Sequence, residues 1–379
     1  MSEQWRQTQL GKVCEIILGQ SPSSDTYNQE RIGLPFFQGK SEFSSKYAQA
    51  KTWCSDPLKV AKKEDVLISV RAPVGESNLA PENCCIGRGL AALRADQEYL
   101  LQDFLWHQIN FKKGCLQGIS QGSTFDAISG KDISELEVEV PPLPEQKKIA
   151  EILSGIDNLI AITKSRMISE QHLRAGLLKE MISEDGAFLK LDSVSTRVSG
   201  HTPSKSNPEY WDGGIPWISL SDTAKLNRRY ISDTAKEISA EGIQNSSAVL
   251  HPAGLVVLSR DARVGCSAIT TKKMAVSQHF IGWICSEHLH NRYLYYVLQK
   301  WKGKFEGIAM GSTIPTIGVP YFRDLEIPVP PVSEQRKIAD TIESVDRHIA
   351  ELMQRIYCLQ NLKSAVASDL LSGRKRVSV

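Results

Sequence analysis

The sequence predicts an α/β (α+β) fold: two duplicated globular domains, separated by two long helices that form an antiparallel coiled coil with pseudo-two-fold symmetry. Residues 141–150 (PPLPEQKKIA) recur as residues 330–339 (PPVSEQRKIA), at an offset of 189. Weaker similarity extends over most of the chain, and a heptad pattern follows each copy of the motif. A chain that repeats itself in this way suits a target that also has two halves, and double-stranded DNA is the leading candidate.

Short matches mark the duplication along both halves. Gly122-Ser123-Thr124 recurs as Gly311-Ser312-Thr313 at the offset of 189. The offset is 190 for residues 74–75 and 264–265, and 181 for residues 19–23 (GQSPS) and 200–204 (GHTPS). We therefore divide the chain into a first module (1–140), a helical segment (141–183), a second module (184–329) and a second helical segment (330–379).

Each module has the pattern of a mixed α/β domain. Residues 66–70 form a short apolar run rich in β-branched residues, which is typical of a buried strand. Residues 136–140 alternate apolar and charged side chains, and the prolines that follow end this strand. Helical spacing begins at Leu101, and residues 184–329 repeat the scheme.

The helical segments carry apolar residues at alternating steps of four and three, which predicts helices over 145–183 and 334–372. In the second segment only Lys363 interrupts this seam, whereas Thr163, Glu170 and Arg174 interrupt it in the first. These interruptions leave room for another protein to dock there. Two such helices on one chain can pair with each other; the alternative is that each packs separately on its own module.

Composition and charge restrict the class of protein. The formal net charge is +2, so the chain is not a polycation, although one face can still be basic. The N-terminal residues are polar and no apolar run approaches the length of a membrane span, which predicts a cytoplasmic protein without a membrane partner. The eight cysteines lack the spacing of a metal site and are expected to be reduced thiols.

No catalytic or metal-binding constellation is found in both copies. Gly87-x-Gly89-x-x-Ala92 resembles a dinucleotide fingerprint, but its repeat counterpart lacks glycine. The sequence therefore predicts no catalytic residue and no metal site.

Several polar residues are instead candidates for DNA contact. Arg71 precedes one strand-end loop and is matched with Arg260 in the repeat; an arginine there can bind guanine or phosphate, or pair with an acid such as Asp261. Arg88 and Gln278 share a repeat position and are suited to guanine and adenine respectively, unless the site is an ordinary variable surface. A basic rim of Lys40, Lys46, Arg228 and Arg229 is possible, though solvated surface is the commoner role of such residues. The full candidate set is Lys40, Arg71, Arg88, Gly122, Ser123, Thr124, Ser219, Arg260, Arg263, Gln278, Gly311, Ser312 and Thr313.

The two PP-(L/V)-x-EQ-(K/R)-KIA motifs, the GQSPS and GHTPS segments, and IPWI at residues 215–218 together resemble the specificity subunit of type I restriction-modification systems. PFFQ at residues 35–38 departs from the aromatic pattern of residues 216–219 (PWIS). The resemblance implies that the modules are target-recognition domains and that the helical segments are conserved regions. It implies partner-binding helices at Glu145, Gln146, Ile149, Glu334, Gln335 and Ile338.

The resemblance further implies two methylation subunits docked on the chain, with restriction subunits joining them. Adenine methylation, S-adenosylmethionine and ATP with Mg would then belong to the partners, and no cofactor to this chain. We expect each module to bind one half of a bipartite DNA site and the helical pair to set the spacer between the halves. The alternative is a non-catalytic coiled-coil adaptor that does not recognise DNA sequence.

Overall fold

The computed structural model describes residues 5–121, 127–183, 187–311 and 314–378, apart from the Asn227 side chain. The chain forms two compact units. The first unit comprises Met1–Arg166 and Leu352–Val379, and the second comprises Met167–Glu351. Each unit therefore contains one module together with part of each long helix.

The first unit is built on short, mostly antiparallel sheets. Among the described residues, a four-stranded sheet has the order Cys14–Leu18, Leu90–Ala95, Val66–Ser69 and Ser77–Leu79. A five-stranded sheet has the order Tyr27–Asn28, Trp53–Cys54, Leu34–Phe37, Cys84–Ile86 and Val60–Ala61, and Arg6–Gln9 pairs with Glu137–Val140. Its helices are Gln102–Phe111, Lys113–Gln121 and Gly130–Ser134, with 3-10 turns at Leu10–Lys12, Ser24–Thr26 and Lys40–Glu42.

The second unit repeats this construction. In its described part, the larger sheet has the order Ser195–Ser199, Phe280–Cys285, Val256–Ser259, Ser267–Thr270 and Tyr230–Ile231. A smaller sheet has the order Glu237–Ile238, Trp211–Ile218 and Ala275–Val276, and Phe188–Lys190 pairs with Glu326–Pro328. Its helices are Leu191–Val194, Ala240–Gln244, Asn291–Lys300, Lys302–Ile308 and Val319–Arg323, with 3-10 turns at Pro208–Tyr210, Leu220–Asp222 and Lys225–Asn227.

Equivalent elements confirm the duplication. Helix Gln102–Phe111 corresponds to Asn291–Lys300, and helix Gly130–Ser134 to Val319–Arg323, each pair offset by 189 residues. The aromatic residues of the first pair, including Trp106 and Tyr295, are buried as core rather than displayed as stacking platforms. The fold class predicted from the repeat is therefore correct.

The two long helices are Leu143–Met181, of 39 residues, and Val332–Leu371, of 40 residues. Each begins directly after the prolines of the repeated motif and carries a glutamate in its first turn, which favours a helix N-terminus. Gly373, with a φ of 73°, follows the second helix, as expected for a residue that ends a helix.

Gln146 attaches the first long helix to its module. Its side-chain oxygen accepts a hydrogen bond from the Leu101 N–H (2.8 Å), and its amide nitrogen donates to the carbonyls of Tyr99 and Pro141 (both 2.8 Å). The side chain is fully buried. One amide therefore satisfies three main-chain groups that would otherwise be orphaned in the interior.

Gln335 attaches the second long helix through the same bonds. It accepts from the His290 N–H (2.7 Å) and donates to the carbonyls of His288 (2.9 Å) and Pro330 (2.8 Å). It too is fully buried. The glutamine of the repeated motif thus fixes the start of each helix by contacting main-chain atoms alone.

In the first unit, the N-terminal part of the first long helix pairs with the C-terminal part of the second. Asp157 and Lys363 form an ion pair at 2.6 Å. Ile149 and Leu370 are buried in one core with the residues of the module. The apolar seam therefore joins the two helices to each other and to the first module.

In the second unit, the C-terminal part of the first long helix pairs with the N-terminal part of the second, so the pairing is antiparallel here as well. Arg174 bonds Asp346 at 2.5 Å, and Glu170 pairs with His348 at 3.0 Å. Thr163, in the first unit, bonds a carbonyl of its own helix. Glu170 and Arg174 are therefore paired across the two helices of the second unit, and docking of another protein at the interruptions stays a prediction.

Candidate DNA interface

Each module presents a tight turn beside a loop that leaves a buried strand. In the first unit, turn 1 (residues 87–90) is closed by a hydrogen bond between its first and last residues (3.0 Å) and carries Arg88. The Val70 N–H donates to the Gly89 carbonyl (3.0 Å), which ties the turn to loop 1 (residues 70–75). Loop 1 passes through Gly75, whose φ of 81° favours glycine.

The second unit repeats this arrangement. Turn 2 (residues 277–280) is closed by the equivalent bond (3.1 Å) and carries Gln278. The Arg260 N–H donates to the His279 carbonyl (3.1 Å), and loop 2 (residues 260–265) passes through Gly265 with a φ of 83°. Equivalent main-chain bonds therefore place Arg88 and Gln278 at the same position of the two modules.

Three cationic candidates meet in the first unit. Lys40, Arg71 and Arg88 line one cavity of about 200 Å³, between turn 1 and loop 1. Arg71 and Arg88 are exposed. Within the described part of the chain, neither guanidinium has a hydrogen-bond or ion-pair partner. The cavity can therefore offer both groups to an anion or to a base edge.

Lys40 differs from the two arginines because it is already paired. Its ammonium contacts Glu76 at 2.7 Å, and Lys113 contacts the same carboxylate at 3.0 Å. Burial alone raises the pKa of Glu76, but the two ammonium groups outweigh it and hold that pKa below its usual range. The carboxylate thus stays ionised and offsets part of the positive charge beside the cavity.

The structure corrects the match between Arg71 and Arg260. Arg71 forms a β-bridge with Ala127, and Asp261 forms the equivalent bridge with Thr316, so Asp261 occupies the place of Arg71. The register follows the main-chain bonds of the loops, in which Arg260 corresponds to Val70. An exposed arginine of the first module is therefore replaced by a buried aspartate in the second, and the Arg260 guanidinium lies 3.9 Å from that carboxylate, as the alternative of an arginine paired with Asp261 predicts.

Asp261 is buried and bonded to the ring of His279. Its Oδ2 lies 2.7 Å from the His279 Nδ1, and its Oδ1 has no hydrogen-bond partner among the described residues. Gln278 is exposed, and its Oε1 accepts a hydrogen bond from the Thr202 hydroxyl (2.6 Å). Thr202, Asp261 and His279 were not among the sequence candidates; their only signal was their position in the repeat.

Other candidates have structural partners or a different setting. The Arg260 guanidinium donates to the carbonyls of Gln278 and Ile317 (both 3.1 Å), so it holds turn 2. Ser219 is buried and donates to Asp222 (3.1 Å) at the start of a 3-10 turn. Arg263 is exposed and lines a separate cavity of about 430 Å³.

The repeated Gly-Ser-Thr segments can be placed only in part. Gly311 has a φ of 114° and follows Met310, whose main chain pairs with Thr316. The other predicted members, Gly122, Ser123, Thr124, Ser312 and Thr313, lie outside the described residues. Their contact with DNA stays a prediction.

The interpretation of Arg229 as part of a basic rim is wrong. Its guanidinium donates to the Tyr296 hydroxyl (2.6 Å) and to Glu343 (2.8 Å). The arginine therefore helps to hold the second module on the second long helix. Arg228 and Lys46 are not part of this network, although the Lys46 ammonium lies 5.5 Å from the Trp106 ring.

The six residues predicted on partner-binding helices have unequal exposure. Ile149 and Ile338 are buried in the cores, and Gln146 and Gln335 are buried as described. Glu334 is exposed. Contact between a partner and the buried side chains stays a prediction.

Glu145 is buried and bonded to both ends of the chain. Arg376 donates two hydrogen bonds to its carboxylate (both 2.7 Å), and the Trp5 indole donates a third (3.1 Å). Burial alone raises the pKa of Glu145, but the bonds from Arg376 and Trp5 outweigh it and lower that pKa below the usual 4.5. Sequence analysis missed this cluster, since Glu145 and Arg376 lie 231 residues apart.

The described residues contain no group of three or more histidine, cysteine, aspartate or glutamate side chains arranged to hold a metal ion. No helix within them combines the length and apolar character needed to cross a bilayer.

Known proteins resemble the chain over both halves. The family model for the type I restriction modification DNA specificity domain matches residues 2–170 and 184–358. A Methanocaldococcus jannaschii protein described as the MjaX specificity subunit of a type I restriction enzyme is 44% identical over 164 residues. That alignment covers 43% of this chain and 39% of the relative, so the match spans well under half of that protein.

Longer matches extend over nearly the whole chain at lower identity. The MjaVIII specificity subunit of a type I restriction enzyme from the same organism is 20% identical, with 99% of this chain and 94% of the relative covered. A solved chain from a type I restriction-modification system has a TM-score of 0.65 at 18% identity, with 97% of each chain covered. The structural likeness supports the two-module fold, and the family model covers both modules. The chain therefore belongs to the type I restriction modification DNA specificity domain family.

Proposed function

We propose that this chain recognises DNA sequence for a type I restriction-modification enzyme, with each module contacting one half of a bipartite site. One observation carries the proposal: the modules hold the same turn and loop but place different polar side chains there. Arg88 stands in one module where Gln278 stands in the other, and beside them the exposed Arg71 is replaced by the buried Asp261. Two half-sites of different sequence require one mode of docking with two sets of base contacts.

The proposed DNA surface of the first module is the cavity lined by Lys40, Arg71 and Arg88. In the second module it comprises Gln278 on turn 2 and Arg263 on loop 2, with Gly311 next to the bridge between Met310 and Thr316. Gly122, Ser123, Thr124, Ser312 and Thr313, which lie outside the described residues, belong to the same proposal as donors to phosphate. With a net charge of only +2, the chain depends on its partners for much of its affinity for DNA.

The long helices are the proposed docking sites for two methylation subunits, which restriction subunits then join. They expose large apolar side chains that are not used in the seam; Ile162 is 66% exposed and Tyr357 is 60% exposed. Apolar residues exposed along one element are a feature of protein interfaces. The members are Leu159, Ile162, Met353, Tyr357 and Leu362 in the first unit, and Ile168 and Leu173 in the second.

In this proposal the chemistry belongs to the partners. Methyl transfer from S-adenosylmethionine to adenine, and cleavage driven by ATP with Mg, take place on the methylation and restriction subunits. This chain contributes sequence recognition, and its helical pair sets the spacer between the half-sites. The complex acts in the cytoplasm, where the DNA substrate lies.

The experiment is to co-express the full chain with its methylation subunits in a host without adenine methylation, and to sequence the methylome. We expect one bipartite motif, methylated only when this chain is present. The matched variant Arg71→Ala/Arg88→Ala should weaken or alter the motif, whereas Arg6→Ala, an exposed arginine away from the cavity, should not. Formation of the complex without any sequence-dependent methylation or DNA binding would make the chain an adaptor and overturn the proposal.

A further inference from the structure

Arg88 and Gln278 differ in chemistry but occupy the same main-chain position. Each follows the first residue of a turn closed by the same main-chain bond, at 3.0 Å in turn 1 and 3.1 Å in turn 2. The hydroxyl beside each is also equivalent: Ser21 accepts from the Arg88 N–H (3.3 Å), and Thr202 donates to the Gln278 side chain (2.6 Å). If DNA docks on both turns in the same way, Arg88 and Gln278 face equivalent positions of their two half-sites.

The surroundings of Arg88 favour hydrogen-bond acceptors. Arg71 lines the same cavity, and both guanidinium groups are unpaired within the described residues. A guanidinium offers only donors, in a planar fork. The major-groove edge of guanine offers two acceptors, N7 and O6, whereas every other base presents fewer or mixes them with a donor.

The surroundings of Gln278 favour a base edge that presents both a hydrogen-bond acceptor and a hydrogen-bond donor. The Thr202 hydroxyl uses one lone pair of the Oε1, which orients the amide and leaves the other lone pair and both N–H groups available. The Arg260 guanidinium donates to the Gln278 carbonyl (3.1 Å) and so fixes the backbone beneath it. The exposed Arg71 of the first module is replaced by Asp261, which is buried beside the ring of His279 and lies 3.9 Å from the Arg260 guanidinium.

We infer that Arg88 contacts a guanine in the half-site of the first module and that Gln278 contacts an adenine in the half-site of the second. A glutamine amide matches the N7 acceptor and N6 donor of adenine, as a guanidinium matches guanine. The inference rests on the proposed function and adds the identity of one base in each half-site. Arg71 is a neighbouring phosphate contact rather than a second determinant of the base.

The first test exchanges the two residues singly, as Arg88→Gln and Gln278→Arg, in the full chain co-expressed with its methylation subunits. Methylome sequencing should show that Arg88→Gln changes or relaxes one guanine position in one half of the motif and leaves the other half intact. Gln278→Arg should do the same to one adenine position in the opposite half. The matched controls Arg6→Gln and Gln244→Arg, both exposed and in the corresponding modules, should leave the motif unchanged.

The second test measures DNA binding, so that it also applies to variants whose methylation is too weak to define a motif. The purified complex is titrated with its wild-type duplex and with duplexes carrying 7-deazaguanine or 7-deazaadenine at the assigned position. For the wild-type complex each analogue should raise Kd about 5- to 150-fold, the range of ~1–3 kcal/mol for a bidentate base contact. Arg88→Ala should abolish the effect of 7-deazaguanine, and Gln278→Ala that of 7-deazaadenine.

The outcomes separate the two proposals. If the wild-type complex has no sequence-dependent motif, the proposed function fails. If the motif depends on this chain but lacks the guanine or the adenine, or is insensitive to both exchanges, only the base assignment fails. The assignment also fails if Arg88→Ala weakens all duplexes equally, since this result would make Arg88 a phosphate contact.

Discussion

Turn 1 carries Arg88 beside Arg71, and turn 2 carries Gln278 beside Asp261, yet the same main-chain hydrogen bonds hold both turns. The bonds that define the scaffold do not involve the exposed side chains. A change from arginine to glutamine therefore alters what the surface can bind without altering the backbone that presents it. The difference between the modules shows that their chemistry can diverge while their fold stays the same.

The starts of the two long helices give a second comparison. Gln146 and Gln335 make the same three bonds, whereas Glu145 is buried against Arg376 and Glu334 is exposed. The glutamine of the repeated motif thus attaches the helix to its module in both copies. The glutamate before it is bonded to an arginine only in the first copy.

The largest expected effect comes from removing the shared glutamine. Gln146→Met or Gln335→Met should each lower the free energy of unfolding of its own unit by about 3 kcal/mol, because main-chain groups left unpaired in the interior cost roughly 1–3 kcal/mol each. Hydrogen exchange of helices Gln102–Phe111 and Asn291–Lys300 under denaturant would report each unit separately.

Gln171→Met, at an exposed position of the first long helix, is the matched control and should have little effect. Equal losses in the two units would support the equivalence of the two attachments. A loss confined to one unit would break the comparison.

A smaller, one-sided effect is expected from Arg376→Ala. It should destabilise the first unit by less than the loss of Gln146 does, because Glu145 stays buried with fewer donors while Arg376 itself is partly exposed. Glu334→Ala, at the equivalent exposed glutamate, should change stability little. Chemical denaturation of both variants, followed by hydrogen exchange, would measure the difference.

The effect of Arg376→Ala should also depend on pH. A carboxyl group whose folded-state pKa is lowered stabilises the fold above its unfolded pKa and loses that stabilisation as the pH falls through the folded pKa. The difference in the free energy of unfolding between the wild type and Arg376→Ala should therefore be full at neutral pH. It should shrink below about pH 4.5, the usual pKa of the glutamate side chain. An advantage that does not change with pH would show that Arg376 acts through packing instead.

The smallest effect concerns the salt dependence of DNA binding. Arg71→Ala should lower the slope of log K against log salt concentration by about 0.9, as expected for the loss of one phosphate contact. The change should be similar on specific and unrelated duplexes, in contrast to Arg88→Ala. Titrations at several salt concentrations would measure it, and an unchanged slope would remove Arg71 from the phosphate contacts.

The sequence was sufficient for features that depend on local periodicity or on the repeat. The bounds of the long helices differ from the prediction by two residues at most, because heptad spacing and the flanking prolines are local signals. The two seams predicted that the helices pair, and the pseudo-two-fold symmetry of the repeat predicted that the pairing is antiparallel. Buried core positions such as Ile149 and Ile338 lie in those seams.

The remaining features depend on contacts between distant segments. The Glu145–Arg376 pair joins residues with no local pattern between them, and Arg71 was matched to Arg260 because an arginine resembles an arginine. The main-chain bridges show that Arg71 corresponds to Asp261, a match that cannot be recognised from the side chains. Ser219 looked available for DNA because its bond to Asp222 is invisible without coordinates.

The amides of Gln146 and Gln335 touch only peptide groups: the carbonyls of residues 99 and 141 or 288 and 330, and the N–H of residue 101 or 290. Every amino acid supplies the carbonyl, and every one except proline supplies the N–H. These hydrogen bonds therefore do not depend on the side chains of the segments that they hold, as long as the residue that donates its N–H is not proline. A module can thus acquire new binding preferences, or be replaced by a related module, without losing the hydrogen bonds that attach it to its long helix.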